Sequence, residues 1–170
     1  MWVGTVITDF NGIVLFDPDL LQKRYGGRID EGTDLFTKFT TTDEGDVVLT
    51  EGLIVPVLAI DDAPYKVIVR RSDEAEIPAG SVVAENGIYP LRVSKRLVVA
   101  DLVVLKEWTE DLGWQDVPAQ AGTYAVTVRG FRNVDASGKR IIEAGYEIVL
   151  DARPMLPALT ADTGKNMRVL

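Results

Sequence analysis

Apolar residues in this chain alternate with polar ones at a period of two. The runs are rich in Val, Ile, Leu and Tyr and are broken by Gly, Asp, Asn or Pro at intervals of about 8–12 residues. Successive side chains of a strand point to opposite faces, so this pattern gives half-buried strands. The expected strands are Ile13–Phe16, Asp46–Thr50, Leu53–Ile60, Tyr65–Arg71, Ile88–Val93, Arg96–Leu105, Thr123–Gly130 and Gly145–Asp151. In Tyr65–Arg71, Tyr65, Val67 and Val69 share one face, and Lys66, Ile68 and Arg70 the other. Turns are expected at Asp61-Asp62, Ala79-Gly80, Glu85-Asn86-Gly87 and Ala121-Gly122. Helix is confined to short segments at Asp17–Tyr25 and Lys106–Leu112.

The fold class that follows is all-β, an antiparallel β-sandwich with little helix. Tyr65–Arg70 (YKVIVR) matches Tyr124–Arg129 (YAVTVR), and each is followed by a second Tyr strand, at spacings of 24 and 22 residues. Two related sheet units packed face to face by internal duplication would read this way. So would ordinary recurrence of Tyr-Val alternation. Residues 1–153 are expected to form one domain, and Pro154–Leu170 an extended, partly mobile tail.

The chain has neither histidine nor cysteine. Ser–His–Asp triads, His-ligated metal sites, thiolate nucleophiles and Cys-ligated zinc are therefore excluded on this chain alone. Carboxylate chemistry is not. Glu107, Glu110, Asp111 and Asp116 could be read as a glycosidase pair, and Asp43-Glu44-Gly45-Asp46 as part of a hard-cation loop, although the EF-hand spacing is missing. A carbohydrate- or calcium-binding β module is thus one alternative. The expectation is no enzymatic activity and no cofactor.

Charge is unevenly placed. Residues 30–62 hold nine acids and one base, Lys38, while the rest of the chain has 17 of each, so this stretch carries the whole net charge of −8. A concentrated acidic surface attracts basic partners and disfavours direct nucleic-acid binding. Asp43, Glu44, Asp46, Asp61 and Asp62 are the expected partner-binding acids. Trp108 and Trp114, in a loop rich in carboxylates, are expected either to anchor the partner or to form a lid on the core. The basic stretch Arg92–Arg96 is expected to pair with acids elsewhere. With no basic, apolar leader and no apolar run of about 20 residues, a soluble, cytoplasmic protein without membrane contact is expected.

The order of certain segments carries a resemblance. Gly12–Asp17 (GIVLFD) leads into an acidic connection, and a strand is expected after Glu44-Gly45. Pro78–Val93 (PAGSVVAENGIYPLRV) and then Ala121–Val126 (AGTYAV) follow. Over residues 12–130 the chain resembles the competence-protein-J-like nuclease inhibitors, small acidic β proteins that block a DNA-degrading partner. The resemblance implies a non-catalytic inhibitor or immunity-type partner of a basic protein such as a nuclease. It brings no site residues with it. A structural or assembly subunit of a phage, sheath or secretion apparatus is the other alternative, with edge strands and the proline-bearing tail as its signs.

Overall fold

The computed structural model describes residues 1–78 and 81–170; the turn expected at Ala79-Gly80 lies outside them. Among the described residues, nine strands and four short helices follow in the order β1 (Trp2–Ile7), β2 (Gly12–Phe16), α1 (Pro18–Arg24), α2 (Leu35–Thr41), α3 (Glu44–Thr50), β3 (Ile54–Leu58), β4 (Pro64–Arg71), β5 (Val82–Val93), β6 (Leu97–Asp101), α4 (Val103–Lys106), β7 (Gln115–Val117), β8 (Gly122–Val134) and β9 (Ile141–Arg153). They form a five-stranded sheet, β1-β4-β9-β8-β5, and a four-stranded sheet, β3-β2-β6-β7. Every pairing is antiparallel except β4 with β9, which is parallel. The protein is all-β with little helix.

One apolar core joins both sheets. In β4, Tyr65, Val67 and Val69 point into it, as the alternation requires. All five residues of β2 are buried, so that strand must be covered on both faces. The helices supply the second cover: Leu21, Leu35, Val48 and Leu49 belong to the same apolar cluster. The expected helix at Asp17–Tyr25 is α1, and its cap explains it. The buried Asp17 carboxylate accepts from the Asp19 and Leu20 amides at 2.9 and 3.2 Å, and Pro18 opens the first turn. The same carboxylate also takes the Ser94 amide and hydroxyl at 2.6 and 2.8 Å, tying the helix to the β5–β6 turn.

Several expectations are corrected. Asp46–Thr50 is not a strand but part of α3, with Gly45, Val48 and Leu49 buried at helical spacing. Arg96–Leu105 is not one strand. It breaks after Asp101, whose carboxylate accepts the Val103 amide at 3.2 Å and turns the chain into α4. The expected helix at Lys106–Leu112 reaches only Lys106. Glu85-Asn86-Gly87 is not a turn but lies within β5, beside an irregularity in its pairing with β8. The four strands of the suspected repeat all lie in the five-stranded sheet. There β8 and β9 pair as a hairpin but β4 and β5 are not neighbours, so two units packed face to face are not formed.

The outward side of the five-stranded sheet holds a buried ion cluster. Glu147, fully buried, receives Arg70 Nε at 3.0 Å, Arg129 Nη1 at 2.9 Å and the Ile77 amide at 3.1 Å. Burial pushes its carboxyl up, but the hydrogen bonds from Arg70, Ile77 and Arg129 outweigh this and hold it below the usual range. The segment after β4 is thereby pinned over the sheet, which is why Ile68 and Arg70 are buried on a face that alternation leaves to solvent. Near the C-terminal end of residues 154–170, Met167 and Val169 lie in the core.

Candidate functional site

The acidic stretch is built on the helical layer and on one loop beyond it. Asp43 is the residue before α3, and Glu44 and Asp46 lie in its first turn, where the positive end of the helix favours carboxylates. Asp43 and Asp46 are exposed. Glu44 is engaged: Arg24 Nε and Nη2 reach its two oxygens at 2.8 and 3.1 Å, and Tyr25 Oη donates at 2.9 Å. The Arg24 hydrogen bonds, helped by Tyr25 and against some burial, hold its carboxyl below the usual range. Arg24 also reaches Glu51 at 3.2 Å.

Asp61 and Asp62 occupy the β3–β4 loop, after the Leu58 end of β3, whereas α3 leads into the Ile54 end. Asp62 accepts the Asn11 amide at 2.6 Å, and Asp61 faces Arg168 at 3.7 Å. Among the described residues no hydrogen bond or ion pair joins this pair to the α3 acids. The five predicted carboxylates therefore form two groups, not one.

Other acids of the stretch are neutralised from outside it. Lys106 reaches Asp34 at 2.7 Å, and Arg28 reaches Asp30 at 3.5 Å. The Asp34 carboxyl is lowered to about 2 by Lys106 and by the Thr37 hydroxyl and amide. Among the described residues, Glu31, Asp43, Asp46 and Asp62 have no ion-pair partner.

The tryptophans lie inward. Trp108 is 1% exposed and Trp114 9%. They meet edge to face at 5.1 Å between ring centroids, and both pack on Phe16, at 6.0 and 5.3 Å. Arg96 lies over the Trp114 ring at 5.5 Å while pairing with Asp111 and Asp116 at 2.7 and 2.6 Å. The loop forms a lid on the core, and the Arg96 end of the basic stretch pairs with acids. An indole held this way cannot reach into a partner without unpacking the lid, so the anchoring role read for Trp108 and Trp114 has no exposed ring behind it.

One feature escaped the sequence reading. A cleft of about 630 Å³ runs between the α1–α2 connection and the loop after Trp108, lined by Asp19, Glu31 and Glu110 among others. Its walls are joined by the Gly32 amide donating to the Trp108 carbonyl at 2.8 Å and the Trp108 amide donating to the Thr33 carbonyl at 3.1 Å. These three acids are spread over ninety residues, and only the pairing of the two loops brings them together. Among the described residues no group of three or more Asp or Glu is arranged to hold a metal ion, and no helix is long and apolar enough to cross a membrane.

Two solved structures are similar to this one. The first is ComJ from Bacillus subtilis, an inhibitor of the DNA-degrading activity of NucA. It matches with a TM-score of 0.54 and 10% sequence identity, over 90% of this chain and 96% of ComJ. The chain shares the ComJ fold. The likeness read from residues 12–130 thus extends over nearly the whole protein. The second structure, described as crocagin biosynthetic gene J, matches with a TM-score of 0.50 and 18% identity, over 89% of this chain and 97% of that one. No protein-family model matches the chain, and no curated protein matches it.

Proposed function

We propose that this protein is a non-catalytic inhibitor or immunity-type binding protein whose partner is a basic protein such as a nuclease. The observation that carries the reading is the placement of Asp43 and Asp46. They lie exposed at the start of α3 without ion-pair partners among the described residues, in a chain whose whole imbalance of −8 falls in residues 30–62. An unneutralised acidic surface accelerates encounter with a cationic protein and orients it. The ComJ fold supports the same direction, since ComJ is an inhibitor of a nuclease activity. Asp62 extends the field from the β3–β4 loop, where Asp61 is already faced by Arg168, and Glu44 holds α3 in place through Arg24.

The test is binding to a panel of basic nucleases, by calorimetry at low and high salt, with inhibition of DNA cleavage as the second readout. The D43K/D46K variant is expected to associate more slowly while its fold is unchanged, because neither side chain is buried. Binding that ignores both salt and this double reversal would overturn the reading.

A further inference from the structure

Residues 154–170 form an arm that leaves β9 at Arg153 and closes the side of the molecule between β3 and β5. Its root is exposed: Met155 is 78% accessible, and Pro154 and Pro157 on either side keep this stretch from continuing β9. The arm is then tied to β5 around Ile88. The Thr160 and Ala161 amides donate to the Ile88 carbonyl at 3.0 and 3.1 Å, and the Ile88 amide donates to Thr160 Oγ1 at 2.8 Å. The Asn86 side chain completes the match by exchanging two hydrogen bonds with the Asp162 backbone, at 2.7 and 3.1 Å. Beyond an exposed stretch, Met167 and Val169 enter the core. There Tyr146 Oη donates to the Met167 carbonyl at 2.9 Å, and Val169 lies against Gly130.

We propose that this arm is exchangeable: the slot it fills accepts residues 160–169 of a second copy in place of its own. The occupant is set by what the slot already recognises. The Ile88 backbone, the Asn86 amide, the Tyr146 hydroxyl and the Asp61 carboxylate facing Arg168 are each met by this one sequence. An arm from another copy meets them identically. Exchange therefore leaves the contacts of residues 160–169 unchanged, and protein concentration and the conformation of the root decide between the two arrangements. Leaving the slot empty is disfavoured, because it would bare the β5 edge and the apolar lining at Tyr89 and Val128.

The absence of cysteine allows a clean trap. The I88C/T160C variant of the full chain places one thiol on β5 and one on the arm. It is oxidised at a concentration on the order of millimolar, comparable to the effective concentration of a short tether, and again after a thousandfold dilution. Exchange predicts a covalent dimer on a non-reducing gel at high concentration and crosslinked monomer after dilution. Monomer alone at both concentrations overturns it. Should that variant not fold, the unmodified protein is mixed with a fluorescein-labelled peptide of residues 154–170. A saturable rise in anisotropy, reversed by unlabelled peptide, supports exchange, and no uptake overturns it. Neither readout involves a nuclease, so this inference and the proposed function fail separately.

Discussion

Replacing Glu147 with glutamine tests the ion cluster that organises the outward face of the five-stranded sheet. Glu147 is fully buried and, among the described residues, is the one acid touching both Arg70 and Arg129 at hydrogen-bond distance; Glu85 reaches Arg129 alone, at 3.3 Å, and Glu76 stays 3.7–3.9 Å from both. E147Q keeps the shape and one acceptor but leaves two guanidinium groups facing each other without their shared counter-charge. Breaking a buried pair from one side costs about 3–5 kcal/mol. The retained amide oxygen puts E147Q near the lower end, about 3 kcal/mol out of a total stability of roughly 5–15 kcal/mol. For a chain of this size that is a fall in melting temperature of about 6–12 °C. Urea unfolding followed by circular dichroism measures the loss directly. The R70M/E147L/R129M triple variant should recover most of it, since apolar replacement of a whole buried cluster is close to neutral.

The sign with pH follows from the same geometry. The folded-state carboxyl lies below its ordinary value of 4.5, so its contribution is present above that value and is lost as pH falls through the lower folded one. A loss below about 1 kcal/mol in E147Q, or an equal loss in the triple variant, would refute the argument that a shared counter-charge holds this face together.

The remaining predictions concern other elements. W108A should cost about 3–5 kcal/mol in denaturant unfolding, because it removes the centre of the Phe16–Trp108–Trp114 cluster; an unchanged midpoint would return Trp108 to the surface. D17A removes both the α1 cap and the acceptor for Ser94, and should cost about 2 kcal/mol or more by the same assay. Asp34 should titrate near 2 by NMR, and K106M should bring it back toward 3.8; its favourable contribution lies above that range and fades as pH falls toward 2.

Much of the fold was legible because one physical rule, alternation with one face buried, applies wherever a sheet faces both core and solvent. It gave β4, β8 and β9 directly. It failed where burial is two-sided or local chemistry intervenes. Val47-Val48-Leu49 is a short apolar run that reads equally as strand or helix, and the acids at 43, 44 and 46 were the helix-start signal that decides it. The run at 97–105 looked continuous because β6 and then Leu102, Val104 and Leu105 are buried, and only the Asp101 carboxylate marks the break. The parallel pairing of β4 with β9 joins strands about eighty residues apart, which no local pattern encodes. The concentration of acids at residues 30–62 is plain in the sequence, but their division into two groups follows from the fold, and the neutralisation of Asp34, Glu44 and Glu51 comes from Lys106 and Arg24, outside the stretch. The tryptophans were visible as a cluster; that they point inward depends on Phe16, ninety residues earlier.

The proposed function turns on whether unpaired carboxylates on α3 guide a cationic partner. The decisive measurement is the association rate with a basic nuclease as ionic strength rises, for the unmodified protein beside D43K/D46K. A rate that falls steeply with salt is expected in the unmodified protein, and a slower rate with a shallower salt slope in the variant, which keeps Glu31 and Asp62. Equal rates and equal salt slopes for the two proteins would contradict it.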